Sequence, residues 1–104
     1  MDIQEVIRQQ VTTNPVVLYM KGTPQFPQCG YSGNAARILK EAGAGNFLAV
    51  NLLQNPEILE GIKVFANWPT IPLIFINGEF IGGSDIVTEM FQSGELQALL
   101  AKKD

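Results

Sequence analysis

At 104 residues the chain has room for one domain with a modest core, and 46% hydrophobic against 16% charged residues marks it as globular rather than disordered. A net charge of −3 argues against a sequence-independent grip on nucleic acid, and no apolar run approaches the roughly 20 residues of a membrane span. One cysteine excludes an internal disulfide, and the absence of histidine removes the commonest general base, the commonest zinc ligand and every Cys–His catalytic pair.

"MDIQEVIRQQ" lacks the cationic start and apolar centre of a signal peptide. With the start at Met1 it predicts a bacterial-type cytoplasmic protein, or an organelle-matrix protein if the chain is a trimmed mature form. Ile3, Val6, Ile7 and Val11 recur at helical spacing and predict a first amphipathic helix. "TTNP" breaks it. "VVLYM" (Val16 to Met20) is a continuous apolar, β-branched run that suits a central strand. After a Gly/Pro-rich loop, Ala35, Ala36, Ile38, Leu39 and Ala42 mark a second helix, stopped by "GAG". "FLAVN" (Phe47 to Asn51) reads as a second buried strand.

Asn55 and Pro56 form a cap and first-turn pair for a third helix, with Ile58, Ile62 and Phe65 on its inner face. "LIFINGEFI" predicts two strands joined at Asn77-Gly78, a pair favoured in two-residue hairpins. Gly82-Gly83 ends the hairpin, and Ser84 or Asp85 caps a helix carrying Ile86, Val87, Met90 and Phe91. Leu96, Leu99 and Leu100 mark a short last helix, and Lys102 and Lys103 read as a frayed end rather than a binding patch. The expected architecture is α/β: a four-stranded mixed sheet flanked by helices. Its first two strands are parallel through a right-handed crossover.

The lone thiol, Cys29, follows a strand and loop and precedes a helix. There it faces unpaired backbone N–H groups and the positive end of the helix dipole. Lys21 stands at the far end of the same loop. Both features lower a thiol pKa from about 8.5. The competing reading is a buried, inert cysteine, which the polar surroundings oppose. In "CGYS", Ser32 occupies the place of a dithiol site's second cysteine, so the thiol needs an external partner; capping the helix is the plain role for Ser32.

"WPTIP" leaves two readings of Ile71-Pro72 open. One is a cis turn that frees the Ile71 N–H and C=O to pair with an extended peptide; the other is an ordinary trans turn. In "GGSD", Gly83 allows close backbone approach. The helix start at Ser84 and Asp85 suits a carboxylate and an ammonium, although capping alone accounts for both residues.

Together, "MKGTPQFPQCGYS", "NWPTIP" and "NGEFIGGSDI" resemble the monothiol glutaredoxins of the CGFS type, across almost the whole chain and in order. The resemblance implies the thioredoxin fold, a single glutaredoxin domain over residues 1–104, and a cis Pro72. It implies a glutathione site in which Lys21 supports the glycine carboxylate and the thiolate of Cys29. Tyr31 stands beside the sulfur, Ile71 pairs with the cysteinyl backbone, and Ser84 and Asp85 hold the γ-glutamyl end. The Lys21–Cys29 loop resembles the lengthened loop that accompanies weak thiol transfer and a preference for clusters.

A [2Fe–2S] cluster normally takes four thiolates. With one cysteine and no histidine, one chain cannot hold it alone. The resemblance implies a glutathione-bridged homodimer when loaded and a monomer when apo. Transfer to apo iron–sulfur proteins and a mixed complex with a BolA-like protein are implied too. Three positions depart from the family pattern. Tyr31 replaces a Phe, Leu59 stands where many members carry an arginine for the glycine carboxylate, and Leu73 replaces a glutamine.

Three functions follow. The first is an iron–sulfur carrier. The second is a glutathione-dependent thiol–disulfide oxidoreductase acting through Cys29, and the third is a partner-binding regulatory module.

Overall fold

The computed structural model describes residues 2–102. Lys103, the second lysine of the tail pair, lies outside them. The elements in chain order are α1 (Ile3–Thr13), β1 (Val16–Met20), α2 (Gly30–Glu41), β2 (Leu48–Asn51), α3 (Pro56–Ala66), β3 (Leu73–Ile76), β4 (Glu79–Gly82), α4 (Ser84–Ser93) and α5 (Glu95–Ala101). The strand order is β2-β1-β3-β4. β1 runs parallel to β2 and antiparallel to β3, and β3 pairs antiparallel with β4. This is the mixed four-stranded sheet the sequence predicts. Among the described residues no helix is long and apolar enough to cross a membrane.

All five residues of β1 are buried, because helices cover both faces of the sheet. Its side chains alternate between two cores. Val16, Leu18 and Met20 join Ile74, Ile76, Leu39 of α2, Val87 of α4 and Leu96 of α5. Val17 and Tyr19 join Leu73, Phe75, Ile7 and Val11 of α1 and Ile62 of α3. Burial pushes the Tyr19 hydroxyl well above the ordinary tyrosine range, and it donates to Gln10 Oε1 at 2.8 Å. The Asn77-Gly78 turn has positive φ at both positions, 52° and 83°, as a type I′ hairpin requires.

Four local expectations need correction. β2 is an edge strand, not a buried one: it pairs only with β1, and Val50 alone is fully buried. Asn55 is the residue before α3, but its side chain makes no cap; its Nδ2 donates instead to Asn51 O at 2.8 Å. α4 is preceded by Gly83, so neither Ser84 nor Asp85 caps it. Ser32 does not cap α2 either, since Cys29 holds that position and the Ser32 hydroxyl is drawn into the interior. For Ser32 and Asn55 a tertiary or turn partner takes the side chain that would cap, whereas Ser84 and Asp85 lie one and two residues inside α4.

Candidate functional site

The end of β1 and the start of α2 are held together by the loop that carries Lys21 and Cys29. Gly22 and Pro27 form an isolated bridge, Gln28 N–H donates to Lys21 O at 3.0 Å, and Thr23 and Phe26 exchange backbone hydrogen bonds. From the neighbouring strand, Asn51 Oδ1 accepts from Gly22 N–H at 3.0 Å. The seven residues between Lys21 and Cys29 thus form a tied hairpin-like loop with Phe26 75% exposed at its tip. Lys21 N–H donates to the fully buried Ser32 Oγ at 3.1 Å, which fastens the loop to the first turn of α2.

Cys29 is half-buried and extended (φ −152°, ψ 134°). Its thiol is shifted below the ordinary cysteine range, first by the Ser32 backbone N–H, against which burial works in the opposite direction. The Tyr31 N–H, the Ser32 hydroxyl and, last, the Lys21 charge add to the lowering. These donors and the lysine charge favour the thiolate over the thiol. The sequence points to the helix N-terminus and to Lys21; the N–H groups lead and the lysine contributes least.

Because this acidic group lies below its unfolded value, its ionisation adds stability that is fully present above the unfolded pKa. That contribution is lost as pH falls through the folded pKa. Ser32→Ala is expected to move the thiol part of the way back toward about 8.5 and to cost about 1 kcal/mol through the stranded Lys21 N–H. The pH dependence of iodoacetamide alkylation and a urea melt read the two effects; an unmoved alkylation profile would contradict this account.

Two clefts meet at this point. One is lined by Cys29, Gly30, Tyr31 and Asn34 on α2, facing Ser84, Asp85, Thr88 and Glu89 on α4. The other is lined by Tyr31, Trp68, Thr70, Ile71, Pro72, Gly83, Ser84, Asp85 and Ile86. They share Tyr31, Ser84 and Asp85. Ile71–Pro72 is cis, and among the described residues the Ile71 backbone has no hydrogen-bond partner. A Cβ on Gly83 would stand 3.2 Å from Pro72 O, so this glycine permits the close approach of the two segments. Ser84 is 6% exposed, whereas Asp85 faces solvent.

Seven of the eight residues singled out in the sequence therefore border the joined clefts. Lys21 borders neither. Leu59 is half-buried against the α1–α3 core and Leu73 is fully buried in it, so both departures extend apolar packing and neither side chain lines a cleft. Sequence reasoning missed Trp68, Thr70 and Asn34. The Trp68 indole N–H is buried, unpartnered among the described residues, and set in the cleft wall. An aromatic beside a Gly/Pro turn signals a wall residue only once the turn is folded onto it.

Residues 16–81 match the family model described as Glutaredoxin. The chain is 48% identical to "Monothiol glutaredoxin-5, mitochondrial" of Saccharomyces cerevisiae, over 95% of this chain and 67% of that protein. It is also 48% identical to "Glutaredoxin 4" of Escherichia coli strain K12, over 92% of this chain and 83% of that one. The chain is a monothiol glutaredoxin. The fold agrees: it resembles reduced poplar apo GrxS14 with a TM-score of 0.81 at 43% identity, covering 95% of this chain and 90% of that one. A buckwheat glutaredoxin–glutathione complex matches with a TM-score of 0.83 at 27% identity, covering 95% and 87% of the two chains. The CGYS segment gives this glutaredoxin one sulfur at the mouth of the joined clefts.

Proposed function

We propose that this glutaredoxin binds glutathione and carries a [2Fe–2S] cluster bridged between two copies of the chain, handing it to apo-proteins in iron–sulfur assembly and iron homeostasis. The observation that carries the reading is one thiol of lowered pKa at the mouth of a cleft, in a chain with no other cysteine and no histidine. Among the described residues no group of three or more His, Cys, Asp or Glu side chains is gathered to hold a metal ion. Four cluster ligands then require two chains and two external thiols. The loaded form is a homodimer, the apo form a monomer, and the whole chain works as one glutaredoxin unit.

The cleft suits glutathione, a peptide with a free thiol and charged ends. The unpaired Ile71 N–H and C=O fit an extended backbone. The start of α4 and the Ser84 hydroxyl fit a carboxylate, Asp85 fits an ammonium, and the buried Trp68 N–H is a further donor at the wall. Lys21 lies outside both clefts and supplies its positive charge on the Cys29 side. With Leu59 packed against the α1–α3 core in place of an arginine, a second charge-assisted bond is not offered from that position, and the affinity is expected to be correspondingly modest. A BolA-like protein and apo iron–sulfur proteins are the expected partners. The cytoplasm of a bacterium is the expected location, with an organelle matrix as the alternative, since one relative is named mitochondrial.

A second reading, thiol–disulfide exchange, draws on the lowered thiol and on Tyr31, which is 65% exposed beside it. The Cys29 thiolate would attack the glutathione sulfur of a glutathionylated protein, releasing the protein thiolate. A glutathione thiolate would then free Cys29 and leave as glutathione disulfide. A glutathione-reductase-coupled assay separates the two. The carrier reading expects slow turnover; fast turnover that disappears in Cys29→Ser would make exchange the primary activity.

A further inference from the structure

A polar network joins α2 to α4 at the shared end of the clefts, where Asn34, Ser84 and Thr88 are lining residues. Asn34, in the second turn of α2, donates from Nδ2 to Ser84 Oγ at 2.8 Å and to Thr88 Oγ1 at 2.9 Å. Its amide orientation is set from the other side. Arg37, paired with Glu41, donates to Asn34 Oδ1 at 2.9 Å, so the oxygen faces the guanidinium and the NH2 group faces α4. Thr88 Oγ1 in turn donates to Ser84 O at 2.8 Å.

With both Asn34 amide protons and the Thr88 proton committed, Ser84 Oγ is the acceptor of its pair. Its own proton has no acceptor among the described residues, and the residue is 6% exposed at the border of both clefts. A buried hydroxyl in that position seeks an acceptor in the cleft, and a charged one bonds most strongly.

We propose that Asn34 is a positioning residue: by donating to Ser84 Oγ it fixes the Ser84 hydroxyl as a proton donor into the cleft, so that this end selects a carboxylate. The inference rests on the glutathione reading, in which the γ-glutamyl end lies here. Asn34 lines one of the clefts, but both of its amide protons are committed to Ser84 and Thr88, so it acts on the ligand through Ser84.

The test is a double-mutant cycle on the full chain, with glutathione binding followed by calorimetry. Asn34→Ala and Ser84→Ala are each expected to weaken binding about fivefold, and the double variant to bind no worse than either. If Asn34→Ala still costs about fivefold in the Ser84→Ala background, Asn34 merely holds the helices together, and the proposal is overturned.

If the wild-type protein binds no glutathione, it is the functional reading that fails, and Asn34 is judged on the free protein. Asn34 side-chain amide protons that exchange with solvent more slowly in wild type than in Ser84→Ala, by NMR, support the fixed donor arrangement. Equal exchange overturns it.

Discussion

Cys29→Ser is expected to keep the fold and lose every thiol-dependent property at once. The residue is the N-cap of α2 with no cap hydrogen bond of its own, and serine is among the preferred N-cap residues. Stability should therefore hold within about 1 kcal/mol, or rise slightly, in a thermal melt. The chemistry has no such substitute. No second cysteine exists, and no histidine stands in as ligand or base. Mixed-disulfide formation with glutathione, followed by intact mass, should fall to nothing, and no cluster should load. Residual mixed disulfide in a folded Cys29→Ser protein would show that the sulfur chemistry had been misplaced.

Gly22→Ala should produce the largest loss of stability among single-methyl additions at this site. Gly22 has φ +90°, and an added Cβ would lie 2.6 Å from Phe26 O and 2.7 Å from Gln28 N. Both are backbone atoms of the tied loop, so neither can rotate away. Left-handed backbone costs a non-glycine residue about 1–2 kcal/mol, and forced overpacking about 1–3 more. A combined loss of about 3 kcal/mol lowers the melting temperature of a chain this size by about 12–20 °C. It should also slacken the loop that carries Lys21 toward the thiol. Gly30→Ala is the contrast: nothing lies within 4 Å of its added Cβ, and its melting temperature should hardly change. Equal melting temperatures for the two variants would contradict the tied-loop description.

Much of the fold was legible because local and tertiary preferences agree. Val16–Met20 is apolar throughout and becomes the strand covered on both faces; Asn77-Gly78 needs positive φ twice and obtains it. The edge position of β2 was hidden because "FLAVN" is as apolar as a central strand, and strand order is not a property of the segment. Capping misled for the same kind of reason. Asn55 sits at the cap of α3 and Ser32 in the first turn of α2, yet Asn51 O and Lys21 N–H claim their side chains.

Among the cleft-lining residues, Cys29, Ile71 and the Gly83–Asp85 segment stand out in sequence because a lone nucleophile, Gly/Pro turns and the family resemblance mark them. Asn34 and Trp68 were not found. A polar residue in an amphipathic helix looks like any solvated position, and only the approach of α4, which brings Ser84 Oγ to 2.8 Å, reveals its task. Leu59 and Leu73 stand out in sequence only as departures from the family pattern. Their side chains join the α1–α3 core, which accounts for leucine at both positions.

The most direct test of the central proposal is anaerobic reconstitution with iron, sulfide and glutathione, read by visible absorption and by size. The account predicts charge-transfer bands together with a dimer, both absent without glutathione and both absent in Cys29→Ser. A protein that stays colourless and monomeric with glutathione present, or one that loads a cluster as a monomer without it, would contradict the proposal.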